Sequence, residues 1–186
     1  MRKMMTLENG RPKDETGRLE KEIRVYDFLD RLHVEYQRVD HEAADTMEAC
    51  LAIDEVLAPA VICKNLFLTN SAKTEYYLLL ICEDKKFRTA EVSKQIGSTR
   101  LSFAGPDKMS ELLDITPGSV SVMGLMNDHD HQVKLLIDED IMKSAYFGCH
   151  PCVNTSSLRL KTEDLFEKIL PALGYTYTDV RIKGEL

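Results

Sequence analysis

VICKNLFLTNSAKTEYYLLLIC, residues 61–82, reads as two strands and the turn between them. Val61 to Leu68 and Glu75 to Cys82 are rich in the branched and aromatic side chains that suit a pleated, buried surface, and Thr69-Asn70-Ser71-Ala72-Lys73 is short and polar enough to reverse the chain. A β-hairpin is the simple interpretation.

The rest of the chain is organised around that hairpin. Upstream, Leu19, Ile23, Tyr26, Leu29 and Leu32 recur at helical spacing, predicting an amphipathic helix that ends near His33. Val34 to Val39 alternates as a half-buried strand does, and Asp45-Thr46-Met47-Glu48 offers an N-cap for a short helix up to about Leu57. Downstream, Ala90 to Ile96, closed by Gly97, and Pro106 to Leu113, with proline in its first turn, are short helices. Ser119 to Leu125 and Val133 to Ile137 are expected as strands of a second hairpin, separated by the polar turn Asn127 to His131. Ile141 to Phe147 is expected to be a helical turn or two. Thr162 is expected to cap a last helix that Gly174 terminates. Hairpins outnumber βαβ units, which predicts a mixed α/β (α+β) fold: a largely antiparallel mixed sheet or partial barrel with peripheral helices.

At 186 residues the chain suits one domain, expected from residue 19 to 186 behind a polar, flexible lead-in at 1–18. The longest apolar runs fall far short of the roughly 18 residues of a membrane span. The N-terminal stretch lacks the apolar core of a secretory signal, and five irregularly spaced cysteines read as reduced thiols, so the cytoplasm is the expected compartment. A net charge of −7 argues against a broad electrostatic grip on nucleic acid. Any such partner is held locally, with a shallow salt dependence.

Cys149-His150-Pro151-Cys152 has the spacing of a redox pair. A redox pair needs its first cysteine at a helix N-terminus, where the dipole and free N–H groups lower the thiol pKa. Val153 to Leu160 shows no helical period. A zinc site drawing on these residues with His129 and His131 lacks a second ligand pair at motif spacing. Small thiols packed as hydrophobes are favoured, and no metal or organic cofactor is expected.

Lys64 shares a strand face with Ile62, Leu66 and Leu68, and spacing alone leaves two accounts open. It is either a lysine snorkelling from a strand end or a pocket lysine awaiting a phosphate or carboxylate. Asn65 falls on the other face of an ideal strand and joins the same pocket only through a bulge. Thr116 to Gly124 places serines among glycines and apolar residues, where a loop can aim backbone N–H groups at a carbonyl or phosphate, or merely turn. Neither Ser119 nor Ser121 has a triad, and no G-x-S-x-G elbow is present.

Cys63 to Leu68, Gly97 to Ala104, Pro117 to Ser121 with Gly124, Asn127-Asp128, His150-Pro151 and Val153 to Thr155 follow one another in an order that resembles the YbaK-like aminoacyl-tRNA deacylases. The pattern is most similar to the free-standing homologues of the prolyl-tRNA synthetase editing domain, the ProXp-ala or PrdX group, over roughly residues 20–182. The resemblance implies that fold, and hydrolysis of the ester joining alanine to the tRNA for proline. A synthetase pocket rejects a smaller amino acid poorly, and a second site restores accuracy. It also implies a positioned water with help from a ribose hydroxyl, and no protein nucleophile.

By the same resemblance Lys64, Gly118 and His150 are the catalytic candidates. Lys64 meets the tRNA 3′ end, Gly118 supplies backbone donors at the scissile carbonyl, and His150 shapes the site and orients water. Asn65, Thr46, Ser119, Ser121 and Asp128 are the candidates for holding the substrate. The implied partners are the 3′ end of an aminoacylated tRNA and a prolyl-tRNA synthetase. Val122 stands where the family's Gly-x-x-x-Pro loop carries proline. Three alternatives stay open: a non-catalytic module binding aminoacyl-tRNA or a synthetase, a deacylase for another small amino acid such as cysteine, and a thiol or metal protein.

Overall fold

The computed structural model of the protein describes residues 4–184. In chain order these form β1 (Glu8–Asn9), α1 (Glu20–Arg31), β2 (Tyr36–Asp40), α2 (Met47–Leu57), β3 (Val61–Thr69), β4 (Tyr76–Cys82), α3 (Thr89–Ile96), β5 (Ser102–Phe103) and α4 (Pro106–Leu113). A 3-10 helix (Val122–Asn127) then leads to β6 (Val133–Asp138), α5 (Glu139–Met142), β7 (Tyr146–Cys149) and β8 (Ser156–Lys161). The last helix runs from α6 (Thr162–Asp164) through a π turn (Leu165–Ile169) into α7 (Leu170–Leu173), and β9 (Tyr177–Val180) follows.

The strands form one sheet in the order β1-β2-β8-β7-β3-β4-β6-β9, with β5 also on β3. Antiparallel pairs predominate, but β3 with β7, β4 with β6, and β6 with β9 are parallel. The sheet is therefore mixed and largely antiparallel, as the interleaving of elements predicts. The 61–82 hairpin lies at its centre, and its alternation feeds two cores. Phe67, Leu78 and Leu80 join the residues of α1, α4, the 3-10 helix and the last helix on one face. Leu68, Tyr77, Leu79 and Ile81 meet Val92 of α3 and Leu101 on the other. Farther along that second face, Ile53 and Leu57 of α2 close over Val39 and Ile62.

The second hairpin does not form. Ser121 Oγ accepts from the Met123 N–H at 3.2 Å and the Ser121 carbonyl from the Gly124 N–H at 3.0 Å, which winds 122–127 into a 3-10 helix. Val122, Met123 and Leu125 are buried, so the stretch is apolar all round rather than on alternate sides. A Cβ on Gly124 would stand 2.5 Å from Ile115 Cδ1 and 3.2 Å from Leu113 Cβ, so glycine lets this helix seat against the end of α4. Released from a hairpin, β6 lies parallel between β4 and β9.

Two smaller expectations also change. Residues 146–149 are strand β7 rather than a helical continuation, and Thr162 lies inside the last helix, its hydroxyl 3.0 Å from Ser144 Oγ. Part of the expected lead-in falls at residues 1–3, outside the described residues. Residues 8–18 are tied down. Strand β1 pairs with β2, Arg11 donates to Asp27 and Asp30 of α1 at 2.9 and 3.1 Å, and Arg18 reaches Glu22 at 2.6 Å and Asp40 at 2.8 Å.

Candidate functional site

The centre of the sheet contains a split. On the edge of β3 away from β4, Val61 and Ile62 pair in parallel with Phe147 and Gly148 of β7. Farther along the same edge, Leu68 and Thr69 pair with β5, and the Phe67 carbonyl accepts from the Ala104 N–H at 2.9 Å. Between these contacts no strand among the described residues pairs with this edge of residues 63–66, because β7 ends at Cys149. Unpaired strand edges are what extended or hydrogen-bonding ligands engage.

Lys64 and His150 flank the split. They lie two residues on from the Ile62–Gly148 pair, Lys64 within β3 and His150 just past the end of β7. Lys64 is exposed, and its Nζ donates to the Lys85 carbonyl at 2.9 Å. A carbonyl satisfies a hydrogen bond but does not cancel a charge, and among the described residues no carboxylate pairs with Lys64. The neighbouring Lys85 differs: Asp138 and Asp140 hold its ammonium at 2.8 and 2.6 Å.

His150 Nδ1 lies 2.9 Å from the Ser156 carbonyl and 3.4 Å from Ser157 Oγ. Burial lowers its pKa, nearby His41 lowers it further, and the Ser156 hydrogen bond opposes them in part, so the ring is neutral at pH 7. Asn65 does not join Lys64. The ladder from Cys63–Cys82 to Thr69–Tyr76 is unbroken, no bulge re-aims the side chain, and Asn65 Nδ2 instead donates to the Cys63 carbonyl at 3.1 Å.

Gly118 occupies the third position of a turn in which the Ser119 N–H donates to the Thr116 carbonyl at 3.2 Å. Its φ of +91° and the proline before it define a type II turn, a geometry that leaves the Gly118 N–H outside the closing bond. The turn abuts Asn154, whose Nδ2 is 3.9 Å from where a Cβ on Gly118 would sit. A cavity of about 410 Å³ opens between the two loops, lined by Thr116, Ser119 and residues 152–155 on one side and by Asp40 and residues 16–19 on the other. Gly118 and Ser119 thus meet the segment that follows His150.

The remaining candidates do structural work. Ser121 is fully buried as the cap of the 3-10 helix. Asp128 is 3% exposed, and its carboxylate accepts from the Gln132 and Val133 N–H groups at 3.0 and 2.8 Å and from the Tyr175 hydroxyl. Thr46 Oγ1 caps α2 by accepting from the Ala49 N–H at 3.1 Å. Three contributors have no signal in sequence spacing: His41, Ser157, and the 16–19 wall of the cavity with Arg18. Tertiary structure alone brings them there.

The cysteines lack the chemistry that their spacing suggests. Cys149 ends a strand, Cys152 follows in a bend, and burial pushes both thiols up to about 12. At neutral pH they are un-ionised and poorly nucleophilic. Among the described residues no group of three or more histidine, cysteine and acidic side chains is placed to hold a metal ion. None of the helices among those residues is long and apolar enough to cross a membrane.

A split sheet whose edge is flanked by an uncompensated lysine and a neutral histidine, with no activated nucleophile beside them, is built to bind and orient. Comparison with known proteins gives the chain its class, an aminoacyl-tRNA deacylase, which is a hydrolase. The family model for the aminoacyl-tRNA editing domain matches residues 41–168, and the chain belongs to that family. Prolyl-tRNA editing protein ProX of Acetoanaerobium sticklandii is 33% identical over 154 residues, which are 83% of this chain and 93% of the relative. Prolyl-tRNA synthetase associated domain-containing protein 1 of Mus musculus is 30% identical over 142 residues, 73% of this chain and 82% of its own. The crystal structure of a proposed trans-editing enzyme for prolyl tRNA synthetase superposes with a TM-score of 0.64 at 18% identity, over 88% of this chain and 98% of that one. The mixed sheet with peripheral helices is thus the fold of the trans-editing domains.

Proposed function

We propose that this protein edits in trans, hydrolysing the ester of mischarged tRNA for proline, with alanine as the amino acid removed. The observation that carries the proposal is the arrangement at the split: on β3 an ammonium with no carboxylate partner among the described residues, and just past the end of the neighbouring β7 a neutral imidazole. The terminal phosphates of a tRNA 3′ end supply the missing anion. An aminoacyl ester is already reactive, so catalysis needs an anchored adenosine, a polarised carbonyl and an oriented water. Lys64 supplies the first, the Gly118 N–H the second and His150 the third. Ser119, whose hydroxyl donates to the Thr116 carbonyl at 2.9 Å, shapes the cavity wall.

The names of the A. sticklandii and mouse relatives support proline's tRNA as the nucleic-acid partner, with a prolyl-tRNA synthetase as its source. The high thiol pKa values support attack by water without a covalent enzyme intermediate, and no cofactor is required for that step. The N-terminal strap and the chain from residue 19 onward act as one cytoplasmic editing domain.

The test is a deacylation panel with tRNA for proline charged with alanine, cysteine or proline. Alanine is released fastest and proline is spared. Faster release of cysteine would reassign the amino acid, and release of none would leave a binding module. A steep loss of activity with added salt would contradict contact confined to the tRNA end.

A further inference from the structure

Beside the split, His150 belongs to a hydrogen-bonded chain that ends in the loop after β2. His150 Nδ1 lies 2.9 Å from the Ser156 carbonyl and 3.4 Å from Ser157 Oγ. Ser157 Oγ lies 2.9 Å from His41 Nε2, and His41 Nδ1 lies 2.8 Å from the Glu42 carbonyl. The rings of His41 and His150 are 6.4 Å apart.

The two carbonyls fix every proton in this chain, because a carbonyl only accepts. His150 Nδ1 must carry its hydrogen to reach Ser156, and His41 Nδ1 must carry its own to reach Glu42. His41 Nε2 is then a bare acceptor and takes the Ser157 hydroxyl proton. Ser157 Oγ is left with its lone pairs toward His150 Nδ1–H, consistent with the longer 3.4 Å contact beside the shorter carbonyl bond. Ser157 is 5% exposed, so its hydroxyl is shielded from competing water, while the His41–Glu42 end of the chain is exposed.

We propose that Ser157 and His41 are positioning residues that reinforce the Ser156 carbonyl in holding His150 in its Nδ1–H tautomer, with the Nε2 lone pair presented to the split as a hydrogen-bond acceptor. The proposal rests on the reading of His150 as part of an editing site. It deepens that reading by assigning which ring nitrogen meets the substrate side: Nε2 accepts a hydrogen bond from the attacking water and aligns one of its lone pairs with the ester carbonyl. The opposite tautomer would offer that water a donor and turn its lone pair away. His41 does not touch the water; it acts through Ser157.

The test uses the full chain with ring-¹⁵N-labelled histidine at pH 7.5, His150 being assigned by its loss in His150→Gln. Long-range proton–nitrogen correlation reports which nitrogen is protonated. The expected spectrum has Nδ1 protonated in the parent, with Ser157→Ala and His41→Ala moving population toward Nε2–H. His41→Gln, whose amide oxygen can accept the Ser157 proton, restores most of the parent spectrum. In single-turnover deacylation the two alanine variants lose ~10-fold or more in kcat with KM little changed. An Nε2-protonated His150 in the parent, or a spectrum unmoved in both alanine variants, overturns the proposal. A parent with the expected tautomer but no hydrolysis of any aminoacyl-tRNA overturns the editing reading while leaving the ring assignment standing.

Discussion

The turn at Asp128 offers the sharpest separation of structure from chemistry. The resemblance to the editing family nominates Asp128 for substrate binding, whereas the structure surrounds its 3% exposed carboxylate with donors from its own fold. Two are the Gln132 and Val133 N–H groups, and the third is the Tyr175 hydroxyl, which also lies 3.0 Å from the Val133 carbonyl. Burial first and the Asp128 carboxylate second push the Tyr175 pKa up, so the phenol keeps its proton and donates it to the carboxylate. Tyr175→Phe removes that donor and one oxygen, leaving no cavity of consequence. A hydrogen bond to a buried charge is worth ~1.5–3 kcal/mol, so a loss of about 2 kcal/mol is expected. Asp128→Ala abandons two buried N–H groups as well, and about 4 kcal/mol is expected. Urea unfolding followed by circular dichroism reads both as a lower midpoint at constant slope. Deacylation kcat/KM, measured well below the transition, should be unchanged in Tyr175→Phe. A stability loss under ~0.5 kcal/mol, or a large loss of kcat/KM in a fully folded Tyr175→Phe, would refute the assignment and return Asp128 to the site.

Lys64→Ala is expected to lower kcat/KM for alanyl-tRNA(Pro) by ~100-fold or more and to change stability by less than ~0.5 kcal/mol, since the side chain is exposed and makes one bond to a carbonyl; full activity would remove it from the site. Val122→Pro is expected to be neutral or to stabilise by up to ~1 kcal/mol, because Val122 opens the 3-10 helix and the extended Ser121 before it, at φ −151° and ψ 150°, already has the conformation a proline requires of its predecessor. A loss above ~1 kcal/mol on urea unfolding would show that the Val122 N–H or its side-chain shape is needed. Asp54, pushed up to about 6 by burial and then by Glu83, should respond to pH. A raised carboxylate pKa means that its protonated form is favoured by the fold, a stability fully present below 3.8 and lost as pH rises through about 6. Asp54→Asn should therefore be more stable than the parent at pH 7.5, by about 1 kcal/mol once solvent screening is allowed for, and no more stable at pH 3.5. An equal gain at both values would rule out the carboxylate pair as its source.

What could be read in the sequence was what is local. The 61–82 hairpin, α1 and the helices opening at Pro106 and closing at Gly97 follow from alternation, helical spacing and caps, and each lies within a residue or two of its expected place. The 3-10 helix was hidden because Ser121 and Gly124 mimic the small residues of a strand while Val122, Met123 and Leu125 are buried all round. Strands β1, β5 and β9 are two to four residues long and owe their form to partners elsewhere in the chain, so no periodicity announces them. The site divides in the same way. Lys64 is conspicuous as a charge on an apolar strand, but its placement beside the strand that leads into His150 depends on a parallel register between strands about eighty residues apart, and parallel pairing leaves no trace in either segment alone.

One feature of that register resolves the tetrapeptide Cys149-His150-Pro151-Cys152. Strand alternation turns Cys149 into the main core, beside Cys63, and puts His150 on the other face with Gly148. Desolvation acts on both side chains but with opposite sign for each kind of acid: it raises the thiols, because their charged form is the deprotonated one, and lowers the imidazole, because its charged form is the protonated one. The same burial therefore disarms the nucleophiles and keeps the histidine a neutral acceptor. The charge that remains uncompensated at the split is the Lys64 ammonium, which can bind an anion but cannot attack an ester while protonated. In the proposed mechanism such a site accelerates hydrolysis by placing a polyanionic end, a carbonyl and a water in register, and its selectivity then comes from the space left for the amino acid rather than from bond-making by the protein.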